Sequence, residues 1–324
     1  MKAVHISRYG GPEVLEPIEV PQPVPGPGQV VIAVAAAGVN RTDINQRSGR
    51  YLPQGKPEIP GLEVSGHIHA VGPEVHGLTV GDPVVALLPG GGYAEYVLAP
   101  ATHVLPVPVG IDVQSAAGLP EVAATVVANL LIDAEVGSGD IALVHGGTGG
   151  IGTMAVQLLH ALGVRVAVTV GSDAKAELAR SLGADIAINY RTHDFARELL
   201  RASDGHGADV ILDVIGGDYL AANIHALARR GRLVIIGTQG GRTGELPITD
   251  LMAKRATIIG TTLRARSDSE KTDIMTAVGK IVWPCIESGR IAPVIDRTFD
   301  LRDAAAAHSY LDTGAHTGKV LLLP

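Results

Sequence analysis

Cysteine is almost absent. Cys285 is the one thiol in 324 residues, so neither an intramolecular disulfide nor a cysteine-built zinc site can form. Aromatics are nearly as scarce, at two Phe, one Trp and seven Tyr. Val, Ala, Leu and Ile must therefore fill the interior, which favours buried parallel strands under Ala-rich helices. No Lys/Arg cluster is dense enough to track a phosphate backbone, and the formal net charge is −7. Nucleic acid is not the expected partner. Met1-Lys2-Ala3-Val4-His5 contains no apolar leader core; it reads as a first strand and makes the cytoplasm the default compartment. The uncharged run 141–164 is long enough to raise the question of a membrane. Glycines cut it at Gly146-Gly147-Thr148-Gly149-Gly150, so strand, turn and helix is the better reading, with no membrane involved.

What is present is enough chain for two domains with well-buried cores. The first third consists of short apolar strands broken by Pro and Gly, among them 30–34, 64–70, 83–88 and 93–97. That spacing predicts a barrel-like β domain. From about residue 115 to 260 the pattern changes to strands alternating with amphipathic helices, the signature of a doubly wound α/β sheet. Strands are expected at 141–145, 164–170, 185–188, 209–214, 233–237 and 257–260, with helices after the first two. The tail adds helices at 269–286 and 301–311 and a closing strand at 319–323 able to rejoin the first domain. The expected division is 1–122, completed by 267–324, against 123–266.

Gly147-Thr148-Gly149-Gly150-Ile151-Gly152 satisfies G-x-G-x-x-G, following a strand and opening a helix. Glycines there permit a tight turn and let backbone N–H groups approach a pyrophosphate at the helix N-terminus. The next strand ends Val168-Thr169-Val170-Gly171-Ser172, with no acid at its tip and Lys175 beyond it. An acid there would accept from a free ribose 2′-hydroxyl. A hydroxyl and an ammonium instead suit a 2′-phosphate, which points to NADPH. Asp173 then falls to capping the following helix, and Tyr190 is placed to contact either phosphate or adenine.

Several segments occur in one order along nearly the whole chain: Gly38-Val39-Asn40-Arg41-Thr42-Asp43, Gly61-Leu62-Glu63-Val64-Ser65-Gly66, Val80-Gly81-Asp82-Pro83-Val84, Gly92-Tyr93-Ala94-Glu95-Tyr96, the glycine loop, Asp213-Val214-Ile215-Gly216-Gly217 and Gly318-Lys319-Val320. Together they resemble the quinone oxidoreductase branch of the medium-chain dehydrogenase/reductase superfamily. Leu87-Leu88-Pro89-Gly90-Gly91-Gly92, Tyr51 and Thr262-Leu263-Arg264-Ala265-Arg266 look most like its p53-inducible subgroup. The resemblance implies a GroES-like β-barrel catalytic domain, a Rossmann domain, a cleft between them, and a homodimer joined through the Rossmann sheet edge. Zinc-dependent members carry Cys where this chain has Asn40 and His where it has Leu62, so no metal is expected. Glu63, Ser65, His67 and His69 alternate along one strand and could imitate a metal site. A single strand rarely completes a coordination shell, and polar positions at the barrel edge are the plainer reading.

The resemblance further places Asn40, Asp43 and Thr125 near the nicotinamide and its ribose. Gly147, Gly149, Gly150, Ile151 and Gly152 would hold the pyrophosphate, and Ser172, Lys175 and Tyr190 the adenosine phosphate. The backbone from Gly237 through Gly240 to Gly241 would flank the nicotinamide, with Leu263, Arg264 and Lys319 closing the site. Tyr51, Asn40 and Asp43 are the candidate catalytic residues, Tyr51 donating to the reduced oxygen. Ala123 stands where the subgroup would place a bulky aromatic, which would widen the cleft. Quinones need no Lewis acid, because conjugation and incipient aromaticity already favour hydride acceptance; a simple ketone does need one. An enoyl or enone reductase, and an NADPH-binding protein of structural or regulatory role, are the alternatives. Cys285 and His145 read as structural, and His308 as a surface or packing residue.

Overall fold

Pro and Gly divide the first hundred residues into strands β1 (Lys2–Ile6), β2 (Leu15–Glu19), β3 (Gln29–Val39), β4 (Glu63–Val71), β5 (Pro83–Leu87) and β6 (Tyr96–Pro100), followed by β7 (Val104–Pro106). The computed structural model describes residues 1–50 and 59–324; Tyr51 lies outside the described residues. Two compact units are present, one of residues 1–124, 267–287 and 292–324, the other of residues 125–266 and 288–291.

The first unit is built on a seven-stranded sheet. Its order is β14-β15-β3-β4-β5-β7, with β14 (Ile295–Asp300) and β15 (Lys319–Leu323) supplied from the tail and β6 pairing with β3. β15 lies antiparallel to β3, Val320 opposite Val39, so the closing strand does join this sheet. The hairpin β1–β2 is tied on through Ala3 and Ala94. Ile32, Val64, Ile68, Tyr93, Leu301 and Leu322 are among the residues of its apolar core. Tyr93 departs from the expected strand 93–97, which starts only at Tyr96. The Tyr93 amide donates to Pro60 and its carbonyl accepts from Val4; these contacts hold it in a turn with the ring inward.

The second unit carries a six-stranded, wholly parallel sheet. Its strands are β8 (Ile141–His145), β9 (Arg165–Val170), β10 (Ile186–Asn189), β11 (Ala208–Asp213), β12 (Leu227–Ile235) and β13 (Thr257–Gly260). Their order, β10-β9-β8-β11-β12-β13, reverses between β8 and β11, the point at which a doubly wound sheet opens a crevice beyond its carboxyl ends. The run 141–164 is resolved into β8, the glycine turn and the helix Gly150–Ala161. β12 begins six residues before the expected strand, because Leu227 pairs with Ala208 and the ladder shifts register before Arg232 meets Val210. A second apolar helical stretch, Val113–Asp133, passes the length and hydropathy test for a membrane span. In the structure 78% of its apolar window is buried, which suits a core segment.

Candidate active site

The glycine turn is shaped by what side chains cannot occupy. Gly146 has φ 73°, a left-handed conformation that glycine adopts without penalty. A Cβ on Gly147 would lie 2.5 Å from Val168, and one on Gly152 would lie 2.2 Å from the Gly146 carbonyl oxygen. Gly149 caps the helix Gly150–Ala161 in extended conformation with no side-chain capping bond. The first N–H groups of that helix thus face outward with no cap of their own, and the helix dipole adds positive potential there. A turn of this shape at a helix N-terminus can cradle a pyrophosphate, and Gly147, Gly149, Gly150, Ile151 and Gly152 all lie in it.

A buried polar chain fixes the floor of the crevice. His145 is fully enclosed, with Nδ1 2.9 Å from Thr169 Oγ1 and Nε2 2.7 Å from Asn223 Oδ1. Asn223 Nδ2 donates to Asp213 Oδ2 (3.1 Å), so its oxygen is the end facing the imidazole. His145 therefore carries its proton on Nε2 and accepts from Thr169. Asp213 in turn accepts from the backbone N–H groups of Ile215 and Gly216. Burial pushes the His145 pKa down to about 4 and the Asp213 carboxyl up. The chain links the end of β8 to the loop after β11. His145 is structural, as its sequence context suggested, and Thr169, Asn223 and Asp213 serve with it.

The loop after β12 packs on this floor. Gly240 N–H donates to the Ile215 carbonyl at 2.8 Å, and a Cβ on Gly237 would lie 2.7 Å from Val214 O. Thr125 is buried, its carbonyl accepting from Asn129 Nδ2 at 2.7 Å where the helix widens into a π turn over Val127–Asp133. Such wide turns release a carbonyl from the regular ladder, and Asn129 satisfies it. Leu263 is buried and Arg264 half-buried beyond β13, in a segment held by Arg266, which pairs with Asp133 and Thr261.

At the end of β9, Ser172 and not Asp173 caps the following helix: the Lys175 N–H donates to Ser172 Oγ at 3.3 Å. Serine takes the extended cap position, which leaves Asp173 in the first turn, where its carboxylate accepts from Asn189 Nδ2 at 2.8 Å. Tyr190 is 42% exposed, and its hydroxyl lies 3.0 Å from where a Cβ on Gly171 would stand. Ser172 and Tyr190 thus flank one point at the strand end, with Lys175 on the first turn of the helix that Ser172 caps.

In the first unit, Asn40, Glu63 and Lys319 form a closed cluster. Lys319 Nζ is 2.6 Å from Glu63 Oε1, 2.6 Å from Asn40 Oδ1 and 3.1 Å from the Val39 carbonyl oxygen. Asn40 Nδ2 donates to the same Glu63 oxygen at 2.9 Å, and the Glu121 N–H to the other at 2.8 Å. Glu63 is completely buried, so the pair is sustained by the number of bonds each charge receives. Gly38 makes room for it, since a Cβ there would lie 2.2 Å from Glu63 Oε1. The Lys319 ammonium spends its three protons on protein acceptors and holds Asn40 in one orientation.

Asp43 is likewise enclosed. It accepts from the backbone N–H groups of Asn40 (2.8 Å) and Gly61 (3.0 Å) and from the Tyr93 hydroxyl at 3.4 Å. Behind Tyr93 stands His308, Nε2 2.9 Å from the phenol oxygen and Nδ1 accepting from Arg47 Nε at 3.2 Å. His308 is therefore no surface residue: it is fully buried, with a pKa pushed down to about 3 by burial and by the Arg47 charge. An Ala-rich helix hid it, because such a helix carries no sign of which face its partner will cover. Glu63, Tyr93, Arg47 and Asn223 were likewise not identified as site residues. Glu63 and Tyr93 sat in quoted motifs, but only their distant partners reveal what they do.

Along β4 the polar alternation divides. Glu63 and Ser65 are buried, whereas His67 and His69 are exposed. The four thus divide between covered and solvent-exposed positions, and among the described residues no group of three His, Cys, Asp or Glu converges. Ala123 is fully buried.

Comparison with known proteins matches residues 26–109 to the alcohol dehydrogenase GroES-like domain and residues 150–278 to the zinc-binding dehydrogenase family. The chain is 34% identical to a quinone oxidoreductase of Pseudomonas aeruginosa, across 100% of this chain and 99% of that one. It is 32% identical to the human quinone oxidoreductase (100% and 98%) and 33% identical to a 2-haloacrylate reductase from a Burkholderia species (99% and 98%). Among solved structures, a mycobacterial protein complexed with NADPH superposes with TM-score 0.91 at 32% identity, covering all of both chains. The Escherichia coli quinone oxidoreductase complexed with NADPH gives 0.90 at 29% identity, again with full coverage of both.

Proposed function

Because the chain belongs to the quinone oxidoreductase branch of the medium-chain dehydrogenase/reductase superfamily, we propose that it reduces quinones with NADPH and without a metal ion. The observation that carries the reading is the lodging of the Lys319 ammonium between Asn40 and Glu63. Asn40 stands where zinc-dependent members carry a cysteine ligand, and here its oxygen and the carboxylate beside it are already committed to a cation. A second cation at that point would face the ammonium's charge. Quinones fit such a site, because they accept hydride without a Lewis acid.

Bound NADPH supplies the hydride; the protein's residues bind, orient and exclude water. The turn from Gly147 to Gly152 would hold the pyrophosphate, with Ser172, Lys175 and Tyr190 at the 2′-phosphate. Thr125, the loop 237–241, Leu263 and Arg264 would bound the nicotinamide. Asn40, held rigid by Lys319 and Glu63, is assigned to the cofactor on the strength of the family resemblance. Asp43 is a positioning residue in this scheme: its oxygens are turned to protein donors, and it anchors the turns that carry Asn40 and Gly61. Lys319 acts in the same way, through Asn40. The proton for the reduced oxygen is assigned to the Tyr51 hydroxyl on the strength of the family resemblance.

NADPH oxidation by chelator-treated protein, across ortho- and para-quinones and small enones, tests the proposal. Turnover of quinones that is unchanged by the chelator, with NADPH preferred over NADH, is the expected result. Activity lost to chelator and restored by zinc would overturn the metal-free reading. The relative named 2-haloacrylate reductase favours one second reading, in which the acceptor is an activated carbon–carbon double bond; turnover of enones alone would select it.

Two finer points belong to the same proposal. Among the described residues β13 pairs on one side only, and the helix Ile248–Lys254, which contacts β12, exposes Ile248 (61%) and Met252 (71%). An unpaired edge next to exposed apolar side chains supports a homodimer joined there. Cytoplasmic residence is supported by the single thiol, Cys285, which is buried and forms no disulfide.

A further inference from the structure

Asn189 ends β10 opposite Val170, the last residue of β9. The next N–H, of Tyr190, donates to the Val170 carbonyl, so the chain leaving β10 runs beside Gly171 and Ser172. That register brings more than Tyr190 to the strand end. A Cβ on Gly171 would have Tyr190 Oη at 3.0 Å and Arg191 Nε at 3.6 Å. The guanidinium thus reaches over Gly171, on the same side as the tyrosine hydroxyl. Arg191 is exposed, and among the described residues no carboxylate pairs with its side chain. Several other arginines here are answered by an acid, as Arg180 is by Glu177, Arg201 by Glu198 and Arg302 by Asp300.

Asn189 ties the arrangement together. Its Oδ1 accepts from the Arg191 N–H at 3.1 Å, while its Nδ2 donates to Asp173 Oδ1 at 2.8 Å. One amide therefore steers the arginine's backbone toward Gly171 and holds the nearby carboxylate against β10. The orientation of the amide follows from its partners, since only its oxygen can accept and only its nitrogen can donate.

We propose that Arg191 is a specificity-determining residue that binds the cofactor's 2′-phosphate over Gly171, and that Asn189 is its positioning residue, holding Asp173 out of the phosphate's way. The assignment rests on the NADPH reading and deepens it. A planar guanidinium offers a phosphate paired donors that Lys175 and Tyr190 cannot supply. It also explains how an acid three residues past the strand end is compatible with a phosphorylated ribose. Nicotinamide chemistry itself does not involve Arg191, so its loss bears on selection and not on turnover.

The test uses Arg191→Ala, Arg191→Lys and Asn189→Asp in the full chain, with dissociation constants measured for NADPH, NADH, 2′,5′-ADP and 5′-AMP. Arg191→Ala should weaken NADPH and 2′,5′-ADP by tenfold or more and leave NADH and 5′-AMP within twofold. Turnover at saturating NADPH should hold, and Arg191→Lys should recover part of the loss. Asn189→Asp sets a second carboxylate against Asp173 and should lower the NADPH-to-NADH preference in the same direction. If the unaltered protein prefers 2′,5′-ADP over 5′-AMP and Arg191→Ala keeps that preference, the assignment is overturned while the NADPH reading stands. If the unaltered protein shows no preference between the two, both fall together.

Discussion

His145 and His308 are neutral for the same physical reason and serve similar ends. Each is wrapped in side chains, and each links two segments by donating from Nε2 and accepting at Nδ1. Their pKa values sit near 4 and 3, below the ordinary value of about 6.5. The unfolded chain therefore takes up a proton below pH 6.5 that the folded chain refuses. Stability is complete above that pH and falls as the pH drops toward 4, by up to about 1.4 kcal/mol per pH unit for each histidine. His145→Asn should lower stability at every pH but flatten this dependence between pH 6.5 and 4, read as the urea midpoint. Identical slopes in variant and parent would mean that His145 is not the buried neutral group described.

At the scale of elements, the glycine turn separates two demands that the sequence motif merges. Gly152 is required by the fold, since its Cβ would meet backbone atoms of Gly146 and Gly147. A Cβ on Gly149 would meet the Gly146 carbonyl at 3.5 Å, an ordinary contact, and its φ of −75° suits any residue. Gly149→Ala should therefore keep the melting temperature within about a degree while weakening NADPH roughly tenfold, about 1.4 kcal/mol. Gly152→Ala should lose binding and stability together, with a melting-temperature drop of several degrees. Thermal melts alongside cofactor titration distinguish the two, and equal effects would refute the separation. This turn was legible because glycine, strand and helix signals are local and coincide. β8 and β15 were legible for a related reason: each is a short apolar run with clear boundaries. Tyr93 and the start of β12 were not, because their hydrogen-bond partners lie far along the chain. The polar clusters were hidden more deeply. Asn40 and Lys319 could be named as site residues, but their mutual engagement depends on the pairing of β15 with β3.

For the whole molecule, the open question concerns what covers β13. Among the described residues, the six parallel strands leave an unpaired edge at each end. At the β10 end the lining is charged, with Glu177, Arg180, Glu198 and Arg201 among its residues, the usual defence of a free edge. At the β13 end the neighbouring helix exposes Ile248 and Met252 instead. Ile248→Asp with Met252→Asp should convert the protein from dimer to monomer in sedimentation velocity, without altering its far-UV circular dichroism. A parent already monomeric at micromolar concentration, or a variant that still dimerises, would place the interface elsewhere or remove it.

The position of β15 also bears on how the chain is made. It is an interior strand of the seven-stranded sheet, flanked by β14 and β3, yet its residues, 319–323, are translated after every other strand. On a ribosome the parallel sheet of the second unit emerges with all its strands in sequence and is free to form as a body. β3, by contrast, waits with an open flank until β15 emerges. Lys319 arrives with β15, so Glu63 is without its counter-charge until that strand emerges. A ribosome stalled short of Lys319 would therefore carry a finished Rossmann unit beside an unclosed, protease-sensitive barrel.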